Sequence, residues 1–280
     1  MRGVASSAEL RAATDAARAG GAGVGFVPTM GALHAGHRAL LATARRENRF
    51  LVASVFVNPL QFGPAEDLAS YPRDPEADLA VLAAEAVDLA FLPGEEEMWP
   101  SPPEVRLRVG GLGDRLEGLV RPGHLDGVAT VVAKLLHLVG PGRAYFGQKD
   151  AQQLAVVRRM AADLAFPNQI VACPTVREPN GLAISSRNTY LSPRERRMAT
   201  ALYRALQAGQ AVFMAGERDP AVVETATRDL LEAAPGVAPD YVALVEPAGF
   251  EPAKQAEPGH VLAAAARVGR TRLIDNVILG

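Results

Sequence analysis

The sequence has one cysteine, Cys173, in 280 residues, so no disulfide can form within the chain and no cysteine-rich zinc site can be built. Cys173 closes the apolar run 169–173 and is expected to be a small buried hydrophobe with no chemical role. A net charge of −2 lacks the basic excess that a nucleic-acid backbone demands, which argues against nucleic acid as a partner and confines any anion site to a local cluster. No apolar run approaches the ~20 residues needed to cross a bilayer, and residues 1–10 lack a basic start followed by an apolar stretch. No membrane partner is therefore expected, and the expected location is the cytoplasm. The only tryptophan, Trp99, lies in the turn-rich stretch 93–103 and reads as a packing anchor. What is present is an ordinary globular composition, 49% hydrophobic against 21% charged, with chain enough for two moderate domains.

The stretch Pro28-Thr29-Met30-Gly31-Ala32-Leu33-His34-Ala35-Gly36-His37 organises the chain. It follows the apolar run Val24-Gly25-Phe26-Val27 and precedes a helical pattern over 38–46, so it reads as a strand, a glycine turn and a helix start. Unpaired N–H groups and the dipole at a helix N-terminus favour an anion there, although a tight turn with two surface histidines explains an isolated His-x-Gly-His equally well. The glycines Gly20, Gly21 and Gly23 precede a strand, not follow one, so they are no dinucleotide fingerprint. A second buried strand, 51–57, runs into Asn58-Pro59-Leu60-Gln61, which places Asn58 and Gln61 just beyond a strand's carboxyl end, where open α/β sheets bind ligands. Helices are expected over 9–18, 74–85 with Asp74 as N-cap, and 125–139, with a strand over 87–92. Arg121 and His124, in a loop, could face a ligand, though surface residues are the commoner case.

The strand–turn–helix arrangement then repeats. Arg143-Ala144-Tyr145-Phe146 is followed by Gly147-Gln148-Lys149-Asp150 and a helix over 151–164, with Lys149 placed to meet a phosphate, Asp150 to cap the helix and Gln153 to look back toward the same edge. After a strand over 169–173 comes the turn signal Asn180-Gly181, and then Leu182-Ala183-Ile184-Ser185-Ser186-Arg187-Asn188. The remainder reads as helices over 194–215 and 219–233 and strands near 241–245, 261–268 and 271–278. The expected class is α/β: a parallel sheet with helices on both faces over residues 1–176, and a smaller C-terminal α+β domain over 177–280. Parallel topology would gather the clusters around His34 and His37, Lys149, and Ser185-Ser186-Arg187, whose shared chemistry is stabilisation of negative charge. No Gly-x-Ser-x-Gly elbow accompanies them, so the nucleophile is expected to come from a substrate.

His34-Ala35-Gly36-His37 with Ile184-Ser185-Ser186-Arg187 resembles the paired signatures of the nucleotidylyltransferase superfamily. Together with Phe56-Val57-Asn58-Pro59-Leu60-Gln61-Phe62 and Phe146-Gly147-Gln148-Lys149-Asp150, in this order, the motifs resemble those of the pantothenate synthetase family over nearly the whole chain. The resemblance implies a homodimer of Rossmann-like domains, each with a C-terminal lid, that joins pantoate to β-alanine. Pantoate would attack the α-phosphorus of Mg-ATP to release pyrophosphate, and the β-alanine amine would then displace AMP from pantoyl adenylate. It further implies that Met30, Gly31, Ala32, Leu33, His34, Ala35, Gly36 and His37 hold ATP, joined by Gly147, Gln148, Lys149, Asp150, Val176, Ile184, Ser185, Ser186 and Arg187. Catalysis would fall to His34, His37, Lys149 and Arg187, and the organic substrates to Gln61, Gln153, Asn58 and Tyr71. Mg²⁺ would ride on the triphosphate, with no protein ligand assigned.

Two positions depart from the family's habit: Gln148 stands where glutamate is frequent, removing a charge beside Lys149, and Ile184 replaces a frequent methionine of similar size. Two rival readings stay open on sequence alone. One is another nucleotidylyltransferase using a phosphorylated substrate, which leaves the loop from Asn58 to Phe62 unexplained; the other is a nucleotide-binding regulator without chemistry.

Overall fold

The computed structural model describes residues 1–64, 66 and 68–280. These form two compact units, residues 1–148 with 156–174, and residues 149–155 with 175–280.

The first unit is built from β1 (Arg2–Val4), α1 (Ser7–Ala19), β2 (Val24–Thr29), α2 (Ala35–Glu47), β3 (Phe50–Val55), α3 (Pro75–Ala84), β4 (Leu89–Phe91), α4 (Glu95–Met98), α5 (Glu117–Val120), α6 (His124–Val139), β5 (Gly142–Gly147), α7 (Ala151–Asp163) and β6 (Asn168–Cys173). Residues 151–155 of α7 are grouped with the second unit. The six strands lie in the order β1-β4-β3-β2-β5-β6, every pair parallel. Strand residues alternate between the two faces of a sheet. One set, Val27, Leu51, Ala53, Ala90, Tyr145 and Cys173, shares a buried core with Leu41 and Ala44 of α2 and Leu82 of α3. The other set, including Val24, Phe26, Val52 and Phe91, is equally buried on the opposite face. Burial on both faces is why these strands are continuous apolar runs without polar alternation.

The chain moves from β2 outward through β3 on one side and from β5 outward through β6 on the other, so the order reverses between the adjacent strands β2 and β5. A crevice opens outside the carboxyl ends of strands at such a switch point. The turn at Met30 and the end of β5 at Gly147 flank it.

The second unit holds α8 (Pro193–Met214), α9 (Pro220–Glu232) and the antiparallel meander β7 (Val237–Val245), β8 (Val261–Val268) and β9 (Thr271–Ile278). Leu202, Leu206 and Phe213 of α8, with Val223 and Leu231 of α9, are buried against Val242, Leu244, Leu262, Ala264 and Leu273 of the sheet. The C-terminal α+β character expected from sequence is therefore present. Element ends shift by a residue or two in several places, and some differences are larger. β1 was not anticipated, β3 stops at Val55 short of 57, and β7 starts at Val237, four residues earlier than 241, its pairing made irregular between Pro239 and Tyr241.

Candidate functional site

In the first unit the turn after β2 is held by two side chains. Thr29 Oγ1 donates to the Ser54 carbonyl at 2.7 Å and accepts the Gly31 N–H at 3.2 Å. Asp78 of α3, 3% exposed, accepts the N–H groups of Ala32 and Leu33 at 3.1 and 2.7 Å. Gly31 has φ of +81°, and a Cβ there would lie 2.6 Å from Asp78 Oδ2, so no other residue fits this turn without displacing its brace.

The two histidines then close the helix start on each other. His34 is the N-cap of α2, its Nδ1 accepting the Gly36 N–H at 3.1 Å, while His37 Nδ1 accepts the His34 N–H at 3.3 Å. This reciprocal pattern satisfies two of the N–H groups that a helix start leaves unpaired, with imidazoles in place of the usual hydroxyl and carboxylate. The rings stack with centroids 4.1 Å apart. Because each Nδ1 is an acceptor, the proton of each neutral ring resides on Nε2. The first turn of α2 carries no acidic residue, so the positive end of its dipole is uncompensated by carboxylates.

The loop after β3 forms a buried polar cluster. Asn58, 1% exposed, donates to Gln61 Oε1 and to the Gly127 carbonyl, each at 3.2 Å, and accepts from Trp99 Nε1 at 3.2 Å. Gln61 Nε2 lies 3.0 Å from Met30 Sδ, which joins the ends of β3 and β2. Tyr71, also buried, packs edge-on against Phe62 with centroids 5.8 Å apart. Trp99 therefore anchors through a hydrogen bond as well as through packing. Beside this cluster a cavity of about 300 Å³ is lined by Leu60, Phe62, Arg106, His124 and Asp126 among others, and by none of the residues predicted to bind substrate.

The expectation that Arg121 and His124 are surface residues is corrected by this unit. Arg121 makes a two-pronged pair with Glu66 at 2.8 and 2.6 Å. His124 is half-buried, and its Nδ1 donates to the Gln61 carbonyl at 2.8 Å, a contact 63 residues away in sequence that no local pattern signals. Desolvation, and then the Arg121 charge, push its imidazole from 6.5 down to about 4. The unfolded chain thus takes up a proton below pH 6.5 that the fold refuses until about pH 4, so this group's contribution is intact above 6.5 and lost as the pH falls through that window. Thermal melts of the parent should lose up to about 1.4 kcal/mol per pH unit there from this group, and His124→Gln, which keeps a donor but cannot titrate, should melt with a flatter acid profile. Identical profiles for the two proteins would remove His124 from the acid sensitivity.

Cys173 is buried as expected, and burial raises its thiol above the ordinary range. Gly147 and Gln148 stand at the end of β5, half-buried.

The second unit carries the remaining candidates. Lys149 has a side chain 18% exposed with Nζ 3.5 Å from Asp150 Oδ1, and Gln153 lies in the first turn of α7, half-buried. Val176 accepts the Ile184 N–H at 2.9 Å and Arg177 bridges Ala183, making a short hairpin with its turn at Asn180-Gly181. Gly181 takes φ of +92°, and Asn180 Oδ1 accepts the Leu182 N–H at 3.0 Å. The hairpin delivers the chain to Ser185, which caps a 3₁₀ turn, Ser186–Tyr190, by accepting the Arg187 N–H at 3.3 Å. Ser185, Ser186 and Arg187 are thus consecutive at the start of one short helical turn.

Sequence reading missed Asp78, Arg177, Asp275 and Asn276. Arg177 Nη1 and Nη2 meet the Asp275 carboxylate at 2.5 and 2.9 Å, and the Arg177 guanidinium lies 3.9 Å from the Tyr203 ring centroid. Burial pushes the Asp275 carboxyl upward, opposed by the Arg177 hydrogen bonds and charge.

Among the described residues no group of three or more His, Cys, Asp or Glu is placed to hold a metal ion, and no helix is long and apolar enough to cross a membrane. A sequence model of the family described as pantoate-beta-alanine ligase matches residues 2–278. A pantothenate synthetase of Roseiflexus castenholzii is 50% identical over 279 residues, covering 100% of this chain and 99% of its own. The crystal structure of the pantothenate synthetase from Thermus thermophilus superposes with a TM-score of 0.93 at 53% identity, covering 99% of both chains. The pantoate-beta-alanine ligase from Francisella tularensis, solved with beta-gamma ATP and beta-alanine, gives a TM-score of 0.81 at 30% identity over 99% of this chain and 97% of that one. With matches spanning its whole length in both sequence and fold, the chain is an enzyme and belongs to the pantoate–β-alanine ligase family.

Proposed function

We propose that this enzyme condenses pantoate with β-alanine in two displacements. The pantoate carboxylate attacks the α-phosphorus of ATP, forming a C–O–P link as pyrophosphate departs; the β-alanine nitrogen then attacks the acyl carbon of pantoyl adenylate, forming the amide as AMP leaves. Neither displacement needs an enzyme nucleophile. The observation that carries this reading is the start of α2, where the His34–His37 cap and an acid-free first turn place two imidazole Nε2–H groups and a positive dipole end at the sheet's switch point.

In this reading Met30 to His37, Gly147 to Asp150, Val176 and Ile184 to Arg187 bind ATP. His34 and His37 serve as Nε2–H donors, and Lys149 and Arg187 supply charge to the phosphates. The buried amides Asn58 and Gln61, with Gln153 and Tyr71, take the organic acids. Residues 1–176 act as the binding domain and 177–280 as a lid. Mg²⁺ would enter on the triphosphate and offset phosphate charge there. A homodimer working in the cytoplasm completes the proposal.

The test is AMP release from Mg-ATP with pantoate, with β-alanine, and with both. Sustained AMP formation only with both acids, and pyrophosphate exchange with pantoate alone, are expected. Exchange supported by a phosphorylated substrate instead would favour the broader nucleotidylyltransferase reading.

A further inference from the structure

Lys149 is tied down at its backbone by a residue far along the chain. Asn276, 4% exposed on β9, donates from Nδ2 to the Lys149 carbonyl at 2.9 Å. Its main chain already pairs with Ala263 in the meander, so the side-chain contact adds nothing to the sheet ladder. Asn276 is fixed in turn by its neighbours. Its N–H donates to Asp275 Oδ1 at 2.8 Å, and its carbonyl accepts from Arg177 Nη2 at 3.1 Å. Arg177, besides its two-pronged pair with Asp275, donates to the Gly181 carbonyl at 3.1 Å, inside the hairpin that leads to Ser185-Ser186-Arg187. All these groups belong to one compact unit. One guanidinium–carboxylate pair, its carboxylate buried, therefore connects the residue that grips Lys149 to the hairpin that carries the serine–arginine turn.

We propose that Asn276 is a positioning residue for Lys149, its amide setting the Lys149 backbone on the same Arg177–Asp275 frame that orients Ser185 to Arg187. The inference rests on the reading that Lys149 meets a phosphate of ATP. An ammonium on a long, rotatable stem gains precision when the base of that stem is fixed, and displacement of a catalytic group by an ångström is costly in rate. The contact is made by a side chain on the last strand, so the C-terminal sheet would contribute to adenylate formation through Lys149.

The experiment is a double-mutant cycle on the full chain with Asn276→Ala, Lys149→Ala and their combination, reading pantoate-dependent ATP–pyrophosphate exchange and thermal melting. Asn276→Ala should lower kcat about 10- to 100-fold with KM for pantoate unchanged. The double variant should be no slower than Lys149→Ala, because the effect of Asn276 passes through that lysine. Should the Ala variant melt below the assay temperature, Asn276→Ser keeps a buried polar group too short to reach the Lys149 carbonyl, and the same cycle is read on it. Losses that multiply in the double variant, or a parental kcat with Asn276 replaced, overturn the positioning role. A parental kcat for Lys149→Ala overturns instead the phosphate role of the lysine, so the two failures are distinguishable.

Discussion

Replacing Lys149 or His37 by alanine should slow pantoate-dependent pyrophosphate exchange about 100- to 1,000-fold, since in the proposed reading each removes a donor to developing phosphate charge commonly worth about 2.7–4 kcal/mol. The two variants differ in what else they lose. The Lys149 side chain makes a loose ion pair with Asp150 at 3.5 Å, a contact of the kind worth about 0–1 kcal/mol, so the lysine variant should melt close to the parent. His37 also holds the His34 N–H at 3.3 Å, and its removal should cost about 1 kcal/mol of helix capping as well. His37→Gln separates the effects: glutamine at this position can reach back to the cap N–H, so it should restore the melting temperature and leave exchange slow. Near-parental exchange in both alanine variants would take these residues out of the chemistry.

The same geometry bears on what the histidines do. A proton carrier must offer a nitrogen that can gain and lose a proton during the reaction. In each ring Nδ1 is occupied by a backbone N–H, and protonating it would break the cap that shapes the helix start. In the proposed reading, adenylation of an ionised carboxylate needs no base, which agrees with two rings whose Nδ1 atoms are committed to the cap.

How much of this was readable from the chain depends on whether the information was local. The α3 start was legible because Asp74-Pro75 carries its own signal, and Asp74 does accept the Ala77 N–H. The Asn180-Gly181 turn was legible for the same reason. β1 was not, because three residues show no period and it exists only by pairing with β4. Asp78 stands in the first turn of α3, where an acid is ordinary and draws no notice; its partners at Ala32 and Leu33 lie 46 and 45 residues away. The histidine cap was missed although it is local, since imidazole is not among the usual capping groups. His124, Arg177, Asp275 and Asn276 are all defined by long-range contacts, and their sequence neighbourhoods resemble an exposed loop, a turn and a strand end.

Arg177→Met should be among the most destabilising single changes in the second unit. It would leave the Asp275 carboxylate, whose side chain is 2% exposed, without its two-pronged partner, and would strip a donor from the Gly181 and Asn276 carbonyls. Breaking one side of a buried ion pair costs about 3–5 kcal/mol, which corresponds to a fall in Tm of about 10 °C for a chain of this size. Replacing both partners, Arg177→Met with Asp275→Leu, should recover much of that loss, because a well-packed apolar pair carries no desolvation penalty. Exchange activity should not recover with it. The guanidinium also fixes the carbonyls of the hairpin before Ser185 and of the residue that holds Lys149, and methionine can make neither bond. A double variant that regains both Tm and exchange would mean that the pair serves stability alone; one that regains only Tm would mean that the charges are kept for the geometry they impose.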